Sequence, residues 1–189
     1  MKSAGIFLSS RNPTFDINSD LEIFASFLAQ ENIKLVYGGG KCGLMGKISE
    51  EVSKNKGKIK GISLPMFDDI GVTPEYLDEL EIQENFYTRK QSLIDQSDFF
   101  VIMPGGVGTA DEFFDVLNHV ALGLIDKKIF IFNKNDCWTY LLKWIDKNIE
   151  QNMFGKLPDT IFVTDSVNGH IESIKKNEIR NKRLPKHTF

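Results

Sequence analysis

The stretch Phe99-Phe100-Val101-Ile102-Met103-Pro104-Gly105-Gly106-Val107-Gly108-Thr109-Ala110-Asp111-Glu112 decides the fold. Its first five residues are uniformly apolar and do not alternate with polar ones. That pattern suits a central parallel strand covered on both faces. Pro104 and three glycines then turn the chain. From about residue 109 to 123 a helical period follows, with Phe113, Leu117, Val120 and Leu124 on one stripe. A buried strand, a glycine turn and an amphipathic helix, in that order, make one strand–helix unit.

The same alternation extends outward from it. Apolar runs at residues 4–8, 34–37, 58–64, 128–132 and 160–163 predict strands, and 78–83 is a further candidate. Helical periodicity marks residues 19–31, 44–55, 86–96, 138–150 and 167–176. Pro65 stops the third strand, and Thr73-Pro74-Glu75 suggests a short helical turn. Repeated strand–helix units imply an α/β fold with a mostly parallel sheet and helices on both sides. Ligands of such sheets sit at the carboxyl ends of the strands, near the switch point.

Composition excludes several classes. The 189 residues carry a net charge of −3, with 41% hydrophobic and 26% charged residues. This is an ordinary globular balance without the basic surplus of a nucleic-acid-binding protein. No apolar stretch approaches the roughly 20 residues needed to span a bilayer. Cys42 and Cys137 form no CxxC pair, which fits a cytoplasmic setting. His119, His170 and His187 show no metal-ligand spacing.

Two glycine clusters carry the chemistry. Gly38-Gly39-Gly40-Lys41-Cys42-Gly43 reads as a dinucleotide fingerprint. However, residues 58–64 supply no acid for ribose hydroxyls, although Lys60 could favour a 2′-phosphate. The second cluster, Gly105-Gly106-Val107-Gly108-Thr109, delivers the chain to a helix N-terminus. There, free N–H groups and the helix dipole favour an anion such as phosphate. It lacks the Gly-Lys-Ser/Thr ending of a P-loop. Thr109-x-x-Glu112 also has the spacing of a capping box, and on spacing alone that reading leads. The pair Arg89-Lys90 lies on the helix that precedes the central strand.

Arg89-Lys90 followed by a strand and Pro104-Gly105-Gly106-Val107-Gly108-Thr109-Ala110-Asp111-Glu112 resembles the Arg-Lys…PGGxGTxxE signature of the LOG ("Lonely guy") family. Tyr37-Gly38-Gly39-Gly40 with Gly43-Leu44-Met45-Gly46 is similar to its YGGGxxGLMG. Residues 122–128 are similar to its downstream turn into a strand. The chain departs from the family pattern at Phe86-Tyr87-Thr88, Leu8, Lys41 and Asp111. The resemblance implies a Rossmann-like three-layer α/β/α domain, usually dimeric, that hydrolyses nucleoside 5′-monophosphates to free base and ribose 5-phosphate. It implies no cofactor and no metal.

The resemblance also assigns the family's essential arginine and glutamate to Arg89 and Glu112, and so moves Glu112 from helix cap to catalyst. On this reading Gly105, Gly106, Val107, Gly108 and Thr109 hold the 5′-phosphate, with Lys90 a second phosphate ligand and Asp111 also binding substrate. Ser9, Gly39, Gly40 and Met45 complete the substrate pocket. Residues 1–176 are then one nucleotide-binding domain, and residues 177–189 a flexible basic tail. The alternative is a nucleotide-binding or sensing protein that keeps the loop without catalysis. Lysine decarboxylase, a label once given to family members, has no pyridoxal-lysine context here.

Overall fold

The computed structural model describes residues 1–183, with side chains described through Asn177. Its strands are β1 (Ser3–Phe7), β2 (Lys34–Tyr37), β3 (Ile59–Ser63), β4 (Glu79–Ile82), β5 (Phe99–Ile102), β6 (Lys128–Phe132) and β7 (Ile161–Thr164). Its helices are α1 (Asn18–Gln30), α2 (Gly43–Lys54), α3 (Pro65–Asp68), α4 (Phe86–Asp95), α5 (Val107–Ala121), α6 (Thr139–Glu150) and α7 (Val167–Arg183). The strands form one sheet in the order β4-β3-β2-β1-β5-β6-β7. Every pairing in it is parallel.

Period-two alternation divides each inner strand between two cores. On β5, Phe99 and Val101 join the core beneath α1, α2 and α7, while Phe100 and Ile102 join the core beneath α4, α5 and α6. Ile6 and Phe7 of β1 divide the same way, as do Phe130 and Ile131 of β6. The strand at the middle of the sheet is therefore apolar throughout because neither face meets water. Each fully buried Phe there contributes about 1.5–3 kcal/mol by leaving water.

The chain builds from β1 outward to β4, then crosses back through α4 to place β5 on the other side of β1. β1 and β5 therefore flank the switch point. Their loops leave the sheet in opposite directions and open a crevice at the carboxyl ends. The register sets Phe7 beside Ile102, so the segments that follow these two strands emerge together.

The elements depart from expectation in four places. Pro65 stops β3 but also begins α3 at its first residue, where a missing N–H costs nothing. Residues 73–75 form no helix. Helix α5 begins at Val107, two residues earlier than expected. The closing helix α7 continues to Arg183. The basic tail expected over residues 177–189 overlaps that helix, and residues 184–189 lie outside the described residues.

Candidate active site

Three loops at the carboxyl edge are tied to one another. The Ser9 N–H donates to Pro104 O at 3.1 Å, and the Met45 N–H donates to Ser9 O at 3.2 Å. Gly43 has φ +58°, and a Cβ there would lie 2.3 Å from both Arg11 N and Ser10 C. Only glycine lets the start of α2 sit this close to the loop after β1. Between these loops lies a cavity of about 820 Å³.

One wall is the start of α5. Gly106 is its N-cap, and no side chain caps it. The amides of Val107, Gly108 and Thr109 therefore have no acceptor within the helix. The capping box that the Thr109–Glu112 spacing suggests does not form. With the helix starting at Val107, Thr109 is already its third residue and Glu112 lies a turn further in. A Cβ at Gly106 or Gly108 would meet nothing within 4 Å. The backbone there is open, and both residues line the cavity. Gly105 has a different role. Its Cβ would lie 2.1 Å from Thr109 Oγ1, so it accommodates the buried threonine rather than facing the cavity.

The charged centre joins α4 to α5. Asn85 caps α4 by accepting from the N–H groups of Tyr87 and Thr88, and the Thr88 hydroxyl answers the Asn85 N–H. This reciprocal cap fixes the first turn, and Arg89 follows it directly. Arg89 is only 8% exposed. Its Nε donates to Ile62 O at 2.9 Å, and its Nη1 donates to Glu112 Oε1 at 3.1 Å. A Cβ on Gly38 would lie 2.5 Å from Arg89 Nη2, so that glycine leaves room for the guanidinium. Burial pushes the Glu112 carboxyl above its usual range, and Arg89 opposes the shift. A carboxylate held in this way in a water-poor pocket suits proton transfer or the stabilisation of positive charge.

The structure brings most of the expected residues together. Ser9, Gly40, Met45, Arg89, Gly106, Val107, Gly108, Thr109 and Glu112 all line the cavity. Four others lie behind the wall. Lys90 turns away to pair with Asp111 at 3.2 Å and Asp115 at 3.6 Å. Asp111 is thereby occupied on the outer side of α5. Gly39 packs on β3, where its Cβ would lie 3.5 Å from Gly61 Cα, and Gly105 supports Thr109.

Lys60, the residue that could have read a 2′-phosphate, pairs instead with Glu79 and Glu81. His170 is a core residue among Phe24, Phe130 and Phe132, and burial pushes its pKa down to about 4. Among the described residues no three His, Cys, Asp or Glu side chains converge as a metal site. No described helix is long and apolar enough to cross a membrane.

Sequence reading missed part of the lining. Arg11, Gly38 and Ser63 all face the cavity. So do Phe67, Ile70, Val72 and Phe86, which form an apolar wall. Ser63 was available from the rule that ligands meet strand carboxyl ends. The apolar wall was not, because the segment after Pro65 has no periodicity.

Fold and cleft together define a doubly wound parallel α/β protein whose switch-point crevice carries an arginine–glutamate pair beside an uncapped helix start. The chain belongs to the LOG family: the family model described as "Possible lysine decarboxylase" matches residues 45–174. It is 33% identical over 167 residues to a cytokinin riboside 5′-monophosphate phosphoribohydrolase of Arabidopsis thaliana, covering 86% of this chain and 72% of the relative. It is 31% identical over 150 residues to a cytokinin riboside 5′-monophosphate phosphoribohydrolase of Rhodococcoides fascians, covering 78% and 76%. A molybdenum cofactor binding protein from Rippkaea orientalis shares the fold, with a TM-score of 0.67, 19% identity and coverage of 93% and 96%.

Proposed function

We propose that this protein hydrolyses the N-glycosidic bond of adenosine 5′-monophosphate or its N6-substituted forms, releasing free base and ribose 5-phosphate. The observation that carries the proposal is the Arg89–Glu112 pair, which faces the same cavity as the open amides of α5. Relatives named as phosphoribohydrolases of cytokinin riboside 5′-monophosphates support it.

The 5′-phosphate sits against the Val107, Gly108 and Thr109 amides, where the helix dipole favours negative charge. Anchoring this remote group directs the ribose toward Glu112. As the base departs with the bonding electron pair, positive charge grows on C1′ and the ring oxygen. The Glu112 carboxylate stabilises that charge and accepts a proton from the water that attacks C1′. The departing base takes its proton from solvent. Arg89 is a positioning residue. Through its Nη1 it holds Glu112 in one orientation.

The protein is further proposed to act as a homodimer. Trp144 and Met153, 57% and 66% exposed, border an apolar groove between α5 and α6 that Phe114 and Leu117 also line. An apolar face of this kind commonly marks an interface. Sedimentation at micromolar concentration measures the assembly. The exposed, unpaired Cys42 and Cys137 suit a reducing cytoplasm, the setting proposed for the protein.

The deciding experiment incubates purified protein with AMP and with N6-isopentenyl-AMP and measures free base chromatographically. Release of base together with equimolar ribose 5-phosphate is expected. Binding without release would make this a nucleotide-binding protein that does no chemistry.

A further inference from the structure

We infer that Arg11, on the loop after β1, is the cation that holds the phosphate of the substrate, and that Arg89 and Lys90 do not serve that purpose. The inference rests on the proposed reaction and concerns the same cavity. Three charged residues line that cavity: Arg11, Arg89 and Glu112. Arg89 gives its Nε to Ile62 O and its Nη1 to Glu112, so its charge is already matched by the Glu112 carboxyl. The Arg89–Glu112 pair is neutral overall. Lys90 is engaged with Asp111 and Asp115 outside the cavity. A phosphate monoester brings nearly two negative charges, and a helix start offers only about half a positive charge in return. A further cation within the cavity would offset the remaining charge.

Arg11 meets that requirement. Among the described residues its guanidinium makes no ion pair or hydrogen bond. Its backbone is held firmly: the Arg11 N–H donates to Ser9 Oγ at 2.9 Å, and Gly43 packs against Arg11 N. Ser9 in turn is bonded to Pro104, just before the glycine turn into α5. The loop that carries Arg11 is thus fastened to the loop that presents the amides. A planar guanidinium there can meet two phosphate oxygens at once, while the α5 amides take the third. The exposed side chain closes over the anion from the solvent side, opposite the buried pair. Phosphate binding and ribose chemistry are then divided between two arginines.

The test compares the wild-type protein with Arg11→Ala and Arg11→Lys. The readouts are kcat/KM for AMP, kcat/KM for adenosine, and calorimetric binding of ribose 5-phosphate against ribose. For Arg11→Ala, the AMP-to-adenosine ratio of kcat/KM is expected to fall about tenfold or more, mainly through KM. Ribose 5-phosphate affinity should fall by a similar factor, and Arg11→Lys should recover part of the loss. An unchanged ratio with unchanged ribose 5-phosphate affinity would overturn the inference. Equal losses for AMP and adenosine would also overturn it, because they would mean Arg11 only shapes the loop. If the wild-type protein releases no base at all, the proposed reaction fails, yet the ribose 5-phosphate measurement still decides the role of Arg11.

Discussion

Replacing Glu112 with glutamine separates the charge of this side chain from its shape. The amide oxygen can still accept from Arg89 Nη1, which lies 3.1 Å from Oε1 in the native pair, so the pocket keeps its packing. What disappears is the negative charge facing the ribose. A full unit charge about 4 Å from another, at an effective dielectric near 20, is worth about 4 kcal/mol. The sugar carries only part of a charge in the transition state, and Arg89 offsets part of the carboxylate field. About 3 kcal/mol then remains, which corresponds to a ~100-fold loss of kcat. The interaction exists chiefly in the transition state, so kcat and kcat/KM should fall together while AMP binding changes little. Chromatographic release of adenine measures the rate, calorimetry measures AMP binding, and a thermal melt confirms folding. A folded variant that turned over within about threefold of wild type would refute the assignment of Glu112 to the chemistry.

Two more perturbations address how the carboxylate is held. Arg89→Met removes the influence that lowers the Glu112 pKa and leaves burial, which raises it, unopposed. In the proposed mechanism the ionised form is the active one, so the acidic limb of the kcat profile should move to higher pH. A lower kcat with an unmoved limb would mean that Arg89 does not act through Glu112. Gly38→Ala would place a Cβ 2.5 Å from Arg89 Nη2 and displace the guanidinium. A loss of kcat of about tenfold with little change in KM is expected from steady-state kinetics, since a misplaced group of this kind weakens catalysis more than binding. Full activity in Gly38→Ala would show that the guanidinium position is not critical.

Much of the architecture was legible in the sequence because it rests on local rules. The continuous apolar run at residues 99–103 suits a strand covered on both faces, and it forms the buried β5. Glycines between strand and helix marked the loops that build the crevice, and the expected Arg89, Glu112 and Gly106–Thr109 turn all line it. The errors share one cause, which is that spacing describes neighbours along the chain and not partners across it. Thr109 and Glu112 had the separation of a capping box, yet Gly106 became the cap and the box formed at Asn85 and Thr88 instead. Lys90 stood next to Arg89 in sequence, but successive helical residues point about 100° apart. The two therefore face opposite environments: Arg89 toward Ile62 and the crevice, and Lys90 toward Asp111 and Asp115.

The sequence by itself determined the alternation of strand and helix, the parallel sheet and the position of the glycine turn. Backbone geometry and burial of apolar stripes act over a few residues and leave their period in the chain. Only the tertiary structure decided that an arginine from α4 meets a glutamate from α5, that Gly38 makes room for it, and that Arg11 reaches the same cavity with its charge unspent. Those relations depend on the order in which strands pair, because β1 and β5 become neighbours only when the chain returns from the far edge of the sheet.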